Sequence, residues 1–363
     1  MDYMKRALAL AQEALGTTSP NPAVGAVVVK NGRVIAEGAT LPPGQDHAEV
    51  VALRKAREEA KDATLYATLE PCCTHGRTPP CTRAIVDLGI KEVHIAALDP
   101  NPKVSGRGIA ELKEAGIAVH LGEGAEEANE LYEAFAKHIN VGLPFVTAKF
   151  AMSLDGKIAT RTGHSQWITG KAARSLVHEW RRTSEAIMVG INTVLRDNPR
   201  LTARGDDGKL MDRQPLRVVV DSQGRTPPDS KLLHEPGKTV IATFKAEKSA
   251  VARLEASGAE VLKLPKKDGH VDLESLLEEL GHRDVVSLLV EGGGTLLGSL
   301  FDQGLVDKVL AFVAPVIIGG KEAPSPVEGR GVGLLTEALK LRNVKVDQVG
   351  NDLLVKGYPE PRS

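Results

Sequence analysis

Two complete alternations of strand and helix signals, separated by one joint punctuated by Gly and Pro, constrain this 363-residue chain more than any other feature. The joint is Asn140-Val141-Gly142-Leu143-Pro144. Before it, Tyr3 to Leu15 has helical spacing. Val24 to Val29 and Arg33 to Glu37 then flank Asn31-Gly32, a hairpin signal because both central turn positions need positive φ. His47 to Ala60 reads as a helix with Val50, Leu53 and Ala56 on one face, Thr64 to Thr68 as a strand, and Thr82 to Leu88 as a helix ending at Gly89. Val93 to Leu98 is a further strand, Gly108 to Leu121 adds helix and strand, and Ala125 to Ile139 closes the unit as a helix. After the joint, strands are expected at Phe145–Ala151, Ala186–Val189, Arg217–Val220, Thr239–Ala242, Val286–Val290 and Lys308–Val313, with Arg204 to Pro215 as a surface loop. The expectation is two α/β domains, 1–140 and 145–363, each of ordinary domain size.

Composition removes several function classes. The chain carries 46 basic and 47 acidic side chains, a net charge of -1, so no electrostatic footprint for nucleic acid exists. Aromatic residues are 3 % of the chain, too few for a base-stacking surface. No apolar run approaches the length of a membrane span, and the charged amphipathic start lacks a signal-peptide core. A small-molecule partner, no nucleic acid and no membrane are therefore expected, in a cytoplasmic protein. All three cysteines fall between Cys72 and Cys81, where a reducing compartment favours metal binding over a disulfide.

That cluster completes a metal-site pattern. His47-Ala48-Glu49 opens a helix, and Pro71-Cys72 and Pro80-Cys81 follow. A catalytic zinc takes three protein ligands and keeps one position open for water, and one imidazole with two thiolates supplies that set. Both cysteines stand where loops enter helices, which favours the thiolate. Cys73 lacks a preceding proline and is read as a non-ligand. Glu49, two residues past His47, is too close along the helix to share the ion, and faces the open position as a general acid and base. His-x-Glu with Pro-Cys and Cys is the zinc-deaminase arrangement. Its usual cysteine spacing is two residues, whereas eight separate Cys72 from Cys81 here.

The longer spacer carries a resemblance. Glu70-Pro71-Cys72-Cys73-Thr74-His75-Gly76-Arg77-Thr78-Pro79-Pro80-Cys81 resembles the deaminase of the bacterial bifunctional riboflavin-biosynthesis deaminase/reductase family. Pro20-Asn21-Pro22-Ala23-Val24-Gly25, His47-Ala48-Glu49, Asp99-Pro100-Asn101-Pro102 and Gly106-Arg107-Gly108 match it in order. In the second half, so do Lys149 to Lys157, Ser165-Gln166-Trp167-Ile168-Thr169, Asp197 to Thr202 and Val290-Glu291-Gly292-Gly293-Gly294-Thr295. The resemblance spans about Met4 to Gly357. It implies a cytidine-deaminase-like three-layer domain joined to a dihydrofolate-reductase-like α/β domain, with Zn2+ and NADPH as cofactors. The implied reactions are hydrolytic deamination of 2,5-diamino-6-(5-phosphoribosylamino)pyrimidin-4-one, then reduction of its ribosyl side chain to ribityl, in a homo-oligomer. Two positions depart from the pattern: Thr40 and Thr74 stand where similar proteins commonly carry His near the substrate. A reductase of the same pathway with an impaired deaminase half is the alternative they leave.

In the second half, Gly292-Gly293-Gly294 between an apolar strand and the helical Thr295–Phe301 is a strand–Gly loop–helix arrangement whose backbone N–H groups suit a pyrophosphate. The resemblance extends cofactor contact to Ala151, Trp167, Thr193, Asp197, Ser222, Gly293, Gly294, Thr295, Leu296, Leu297, Gly298 and Ser299. It implies substrate contact by Ser165, Arg181, Leu201, Arg204 and Glu291. The arginine pair suits a phosphate through its guanidinium forks. Lys149 and Asp197 are the candidates for substrate positioning and proton transfer, with a structural ion pair as the plainer reading of each.

Overall fold

A computed structural model describes residues 2–75 and 79–361, so Gly76-Arg77-Thr78 of the cysteine spacer lie outside the described residues. The chain divides into two compact units, Met1–Leu143 and Pro144–Ser363.

In the N-terminal unit, Asp2 caps α1 (Tyr3–Ala14) by accepting from the Lys5 N–H. β1 (Gly25–Lys30) and β2 (Arg33–Ala39) form the expected hairpin, with φ of 52° at Asn31 and 72° at Gly32. Then come α2 (Ala48–Ala56), β3 (Thr64–Leu69), α3 (Cys81–Asp87), β4 (Glu92–Ala97), α4 (Arg107–Glu114), β5 (Ala118–Leu121) and α5 (Ala125–Val141). The helix expected over His47 to Ala60 stops at Ala56, because Arg57 turns to φ 53° and a short 3-10 turn follows. The sheet runs β2-β1-β3-β4-β5, antiparallel at the hairpin and between β1 and β3, parallel from β3 onward. Two glycines show how closely helices approach its two faces. A Cβ on Gly25 would meet the Ala7 carbonyl oxygen of α1 at 1.9 Å, and one on Gly38 the Ala48 carbonyl oxygen of α2 at 2.3 Å. Gly38 pairs with Ala26, whose side chain points opposite to that of Gly25, so α1 and α2 lie on opposite faces. Val27, Leu65, Val93 and Ile95 fill the core between the layers.

The C-terminal unit begins with β6 (Phe145–Ser153), α6 (Lys171–Thr183), β7 (Ala186–Gly190), α7 (Ile191–Asp197), β8 (Leu216–Val220), α8 (Lys231–His234), β9 (Thr239–Thr243), α9 (Lys248–Ala256) and β10 (Ala259–Lys263). A small pair, β11 (Lys266–Lys267) with β12 (His270–Val271), precedes α10 (Leu273–His282), β13 (Ser287–Val290), α11 (Gly294–Asp302) and β14 (Lys308–Ala314). β15 (Leu341–Val349) and β16 (Asp352–Pro359) complete the unit. The main sheet has the order β10-β9-β8-β7-β13-β6-β14-β16-β15. It is parallel from β10 to β14 and antiparallel beyond. Its central strands are near-continuous Val, Ile and Leu because both faces are covered. β13 enters between β7 and β6, so strand order reverses there; a crevice outside the strand C-termini is the usual ligand position in such a sheet. Lys149 and Ala151 lie on β6, opposite Leu310 and Phe312 of β14.

Candidate active sites

In the N-terminal unit, β2 returns the chain so that His47 stands at the N-cap position of α2, while Cys81 opens α3 and Cys72 lies in the loop that follows β3, so that of the two cysteines only Cys81 stands at a helix start. The Sγ atoms of Cys72 and Cys81 each lie 3.4 Å from His47 Nδ1, and the Cys81 N–H donates to Cys72 Sγ at 3.4 Å. Sulfur and nitrogen donors on one tetrahedral zinc, at ~2.3 and ~2.05 Å, stand about 3.5 Å apart, so this donor triangle fits that ion. His47, Cys72 and Cys81 would hold it, with His47 bound through Nδ1. Glu49 is 3 % exposed, and its Oε2 has no hydrogen-bond partner. Burial, with Cys72 beside it, pushes its carboxyl up to about 7. An orphaned buried carboxylate oxygen beside an open metal position is the second observation that fits the ion. Cys73 is half-buried and absent from the donor triangle.

Sequence reasoning missed Glu70. Buried under the site, its carboxylate accepts from the N–H groups of Gly106 at 2.9 Å, Ile109 at 3.1 Å and Asp99 at 3.3 Å. It thereby ties the loop after β4 and the start of α4 to the Pro71-Cys72 segment. Gly108 is glycine because a Cβ would sit 2.1 Å from the Pro71 carbonyl oxygen. The Asp-Pro-Asn-Pro and Gly-Arg-Gly motifs thus support the cysteine loop from behind. Of the departures, Thr40 is buried, and its hydroxyl accepts from the Val24 N–H at 3.1 Å, a structural latch. Thr74 and His75 are exposed, and His75 lines a shallow outer hollow with Cys73, Thr82, Arg83 and Glu111.

In the C-terminal unit an open cleft of about 2360 Å³ runs along the strand C-termini, far larger than a pocket for one small ligand. It brings together Lys149, Ala151, Ser165, Trp167, Arg181, Thr193, Asp197, Leu201, Arg204, Ser222 and Glu291, with Gly293 to Leu297 and Ser299. Gly298 is not among the lining residues. A Cβ there would lie 2.0 Å from the Glu328 carbonyl oxygen, so Gly298 packs α11 against the 328–329 segment. Gly292 and Gly293, at φ 108° and 84°, turn the chain from β13 into α11, as the glycine loop requires.

Charge in the cleft converges on Glu291. Arg181 donates to it from Nε at 2.5 Å and Nη2 at 2.9 Å, and Lys149 Nζ lies 3.8 Å away. Burial favours a protonated Glu291, but Arg181 and then Lys149 more than offset this and hold its carboxyl down to about 2. Burial lowers the Lys149 ammonium. The Arg181 fork faces Glu291 here, its Nη1 donates to the Thr202 carbonyl at 3.1 Å, and Arg181 lines the cleft together with Arg204. The Arg204 Nε is buried with no partner. Ser165 Oγ donates to Asp197 Oδ1 at 3.4 Å, and burial raises the Asp197 carboxyl. Leu201 takes φ 53°, unusual for a bulky side chain, at the cleft wall. Trp167 is 71 % exposed, with the Arg174 guanidinium 4.7 Å from its ring centroid.

Comparison with known proteins covers both units. The family model for the cytidine and deoxycytidylate deaminase zinc-binding region matches residues 1–97, and that for the RibD C-terminal domain matches residues 144–355. The chain is 44 % identical over 357 residues to riboflavin biosynthesis protein RibD of Actinobacillus pleuropneumoniae, covering 98 % of this chain and 94 % of that protein. It is 40 % identical over 360 residues to the Escherichia coli protein of the same name, covering 97 % of each. The structure of Acinetobacter baumannii RibD superposes with a TM-score of 0.86 at 37 % identity, covering 99 % of this chain and 98 % of that one. A Thermotoga maritima structure described as a diaminohydroxyphosphoribosylaminopyrimidine deaminase/5-amino-6-(5-phosphoribosylamino)uracil reductase gives 0.82 at 38 %, with the same coverage. The folds are accordingly cytidine-deaminase-like in the first half and dihydrofolate-reductase-like in the second. Matched in order across both halves, the chain belongs to the bifunctional riboflavin biosynthesis protein RibD family, enzymes that join a zinc-binding deaminase to a reductase.

Proposed function

We propose that the first unit replaces the 2-amino group of 2,5-diamino-6-(5-phosphoribosylamino)pyrimidin-4-one by oxygen, taking up water and releasing ammonia. The second unit then reduces the ribosyl side chain to ribityl at the expense of NADPH. The observation that carries the reading is Glu49, buried, unpartnered at Oε2 and set beside the His47, Cys72 and Cys81 donors. Zinc, when bound, supplies an activated water. Glu49 takes a proton from that side and returns it to the ring nitrogen and the departing amine. A carboxyl raised to about 7 by burial suits both directions of transfer.

In the second unit NADPH, when bound, supplies the hydride. The glycine loop and the start of α11 offer backbone N–H groups to its phosphates, and the size of the cleft admits a dinucleotide beside a phosphorylated substrate. Arg204 is assigned the substrate phosphate, since its Nε has no protein partner. Arg181 contacts the substrate beside it and holds Glu291 ionised toward the substrate's polar groups. Lys149 and Asp197 flank the reacting region: Lys149 positions substrate through its contact with Glu291, and Asp197, with Ser165, is the group placed to give a proton after hydride delivery. We further propose a cytoplasmic homo-oligomer. No helix among the described residues is long and apolar enough to cross a membrane, and the three cysteines are free thiols.

The test is separate assay of the two half-reactions on zinc-loaded protein, following ammonia and NADPH independently. Ammonia release from the diamino substrate and NADPH oxidation only with the deaminated product support the reading. NADPH oxidation without ammonia release would instead identify a reductase with an impaired deaminase half.

A further inference from the structure

Within the N-terminal unit a second group of metal-competent side chains lies on the sheet face that α1 covers, away from the His47 cluster. Parallel register places Tyr66 of β3 beside His94 of β4, and His94 beside His120 of β5, so three rings form one row. The row is stacked, with centroids 4.5 Å apart for Tyr66 and His94 and 4.7 Å for His94 and His120. Glu92, two residues before His94, points to the same face. Its Oε1 lies 3.4 Å from His94 Nε2 and 3.0 Å from His120 Nε2.

Both separations from Glu92 are those of donors that share one ion. Oxygen and nitrogen donors at ~2.0–2.2 Å from a common metal stand roughly 3.0–3.5 Å apart. All three donor atoms lie within 4.8 Å of one another. The other nitrogen of His94, Nδ1, is 3.0 Å from Glu123 Oε2. A carboxylate accepting from Nδ1–H fixes the tautomer that presents the Nε2 lone pair, the outer support that metal-binding imidazoles commonly have. The His120 side chain is 56 % exposed, leaving water access on one side.

We propose that Glu92, His94 and His120, supported by Glu123, form a second site for a divalent transition ion. Two imidazoles and a carboxylate favour Zn2+ and its neighbours Co2+, Ni2+ and Cu2+ over Mg2+ or Ca2+. The ion clips β5, the four-residue strand at the sheet edge, to β4, and so protects an edge that few hydrogen bonds secure.

The test is Zn2+ titration of tag-free, full-length protein, with bound metal per chain counted after dialysis. Two zinc ions per chain are expected, one remaining in His120→Asn, one in Cys81→Ser and none in the double variant. Glu123→Gln should keep both ions but weaken the outer one by ~10–100-fold. Should His120→Asn fold poorly, Glu92→Gln reports on the same ion. A single zinc in the unmodified protein that vanishes in Cys81→Ser, or two zincs retained in both His120→Asn and Glu92→Gln, overturns the proposal.

Discussion

The two candidate active sites are built on opposite plans. The deaminase site gathers His47, Glu49, Cys72 and Cys81 from one short stretch of chain, and its donors are buried or half-buried at fixed separations. The reductase cleft draws on residues from Lys149 to beyond Glu291 and is a far larger, partly open space. On the proposed function, four side chains carry the chemistry in the first site, and in the second the chain supplies mostly shape, backbone N–H groups and one charge cluster. A metal demands particular residue types at particular distances, whereas a dinucleotide can be gripped by almost any residue whose backbone approaches closely. Single substitutions should therefore act sharply in the first unit and by degrees in the second.

The largest effect is expected at Glu49. Glu49→Gln should retain zinc and fold while ammonia release falls ~10³–10⁴-fold, toward the upper range for a general acid–base group. NADPH oxidation with pre-deaminated substrate should be unchanged; a parallel loss of both activities would erase the contrast between the units.

Next is the charge cluster. Glu291 has a folded carboxyl near 2 against an ordinary value near 4.5, so it contributes stability that is fully present above about pH 4.5 and is lost as pH falls toward 2. The shift corresponds to about 3 kcal/mol. Acid unfolding of a fragment starting at Pro144 should show this loss, and Glu291→Gln should abolish it while leaving Arg181 and Lys149 buried without their counter-charge. Identical acid profiles for the two proteins would remove Glu291 from the stability of this unit.

Asp197→Asn should lower kcat of the reductase by ~10²-fold and change NADPH binding little, with fluorescence titration separating the two. Equal losses in binding and turnover would reduce Asp197 to ordering the loop that follows it. The smallest effect is expected at His75. Because it is exposed on an outer hollow, His75→Ala should alter the deaminase KM by less than about twofold, as for an ordinary surface substitution. A large KM increase would show that this imidazole reaches the substrate and replaces the His missing at Thr74.

The contrast also explains what could be read in advance. The zinc donors and Glu49 were legible because His-x-Glu and two Pro-Cys pairs are side-chain requirements written in short range. The Asn31-Gly32 hairpin was legible because positive φ restricts residue choice. Glu70 escaped notice because its partners are backbone N–H groups, which leave no mark on the identity of Asp99, Gly106 or Ile109. The pairing of Arg181 with Glu291 escaped because 110 positions separate them and only the insertion of β13 between β7 and β6 brings them together. β15 and β16 were not foreseen: β15 is largely exposed along its length, and an edge strand with a solvated surface lacks the apolar signature of a buried one. The packing need at Gly298, room for the Glu328 carbonyl, also left no mark in the sequence, because residue 328 is distant along the chain.

The placement of Lys149 and Ala151 on β6 has an evolutionary consequence. At ~3.3 Å of rise per residue, two positions on one side of a strand are about 6.6 Å apart, so the pleat acts as a ruler between two cleft-lining positions, the ammonium beside Glu291 and Ala151. β6 is hydrogen-bonded to β13 on one side and β14 on the other. Inserting or deleting one residue would turn both groups to the far side of the sheet at once, and neither neighbour could follow. Length variation in this family should therefore be absent from β6 and gather in exposed segments such as 206–210, where added residues extend into solvent and leave the ruler untouched.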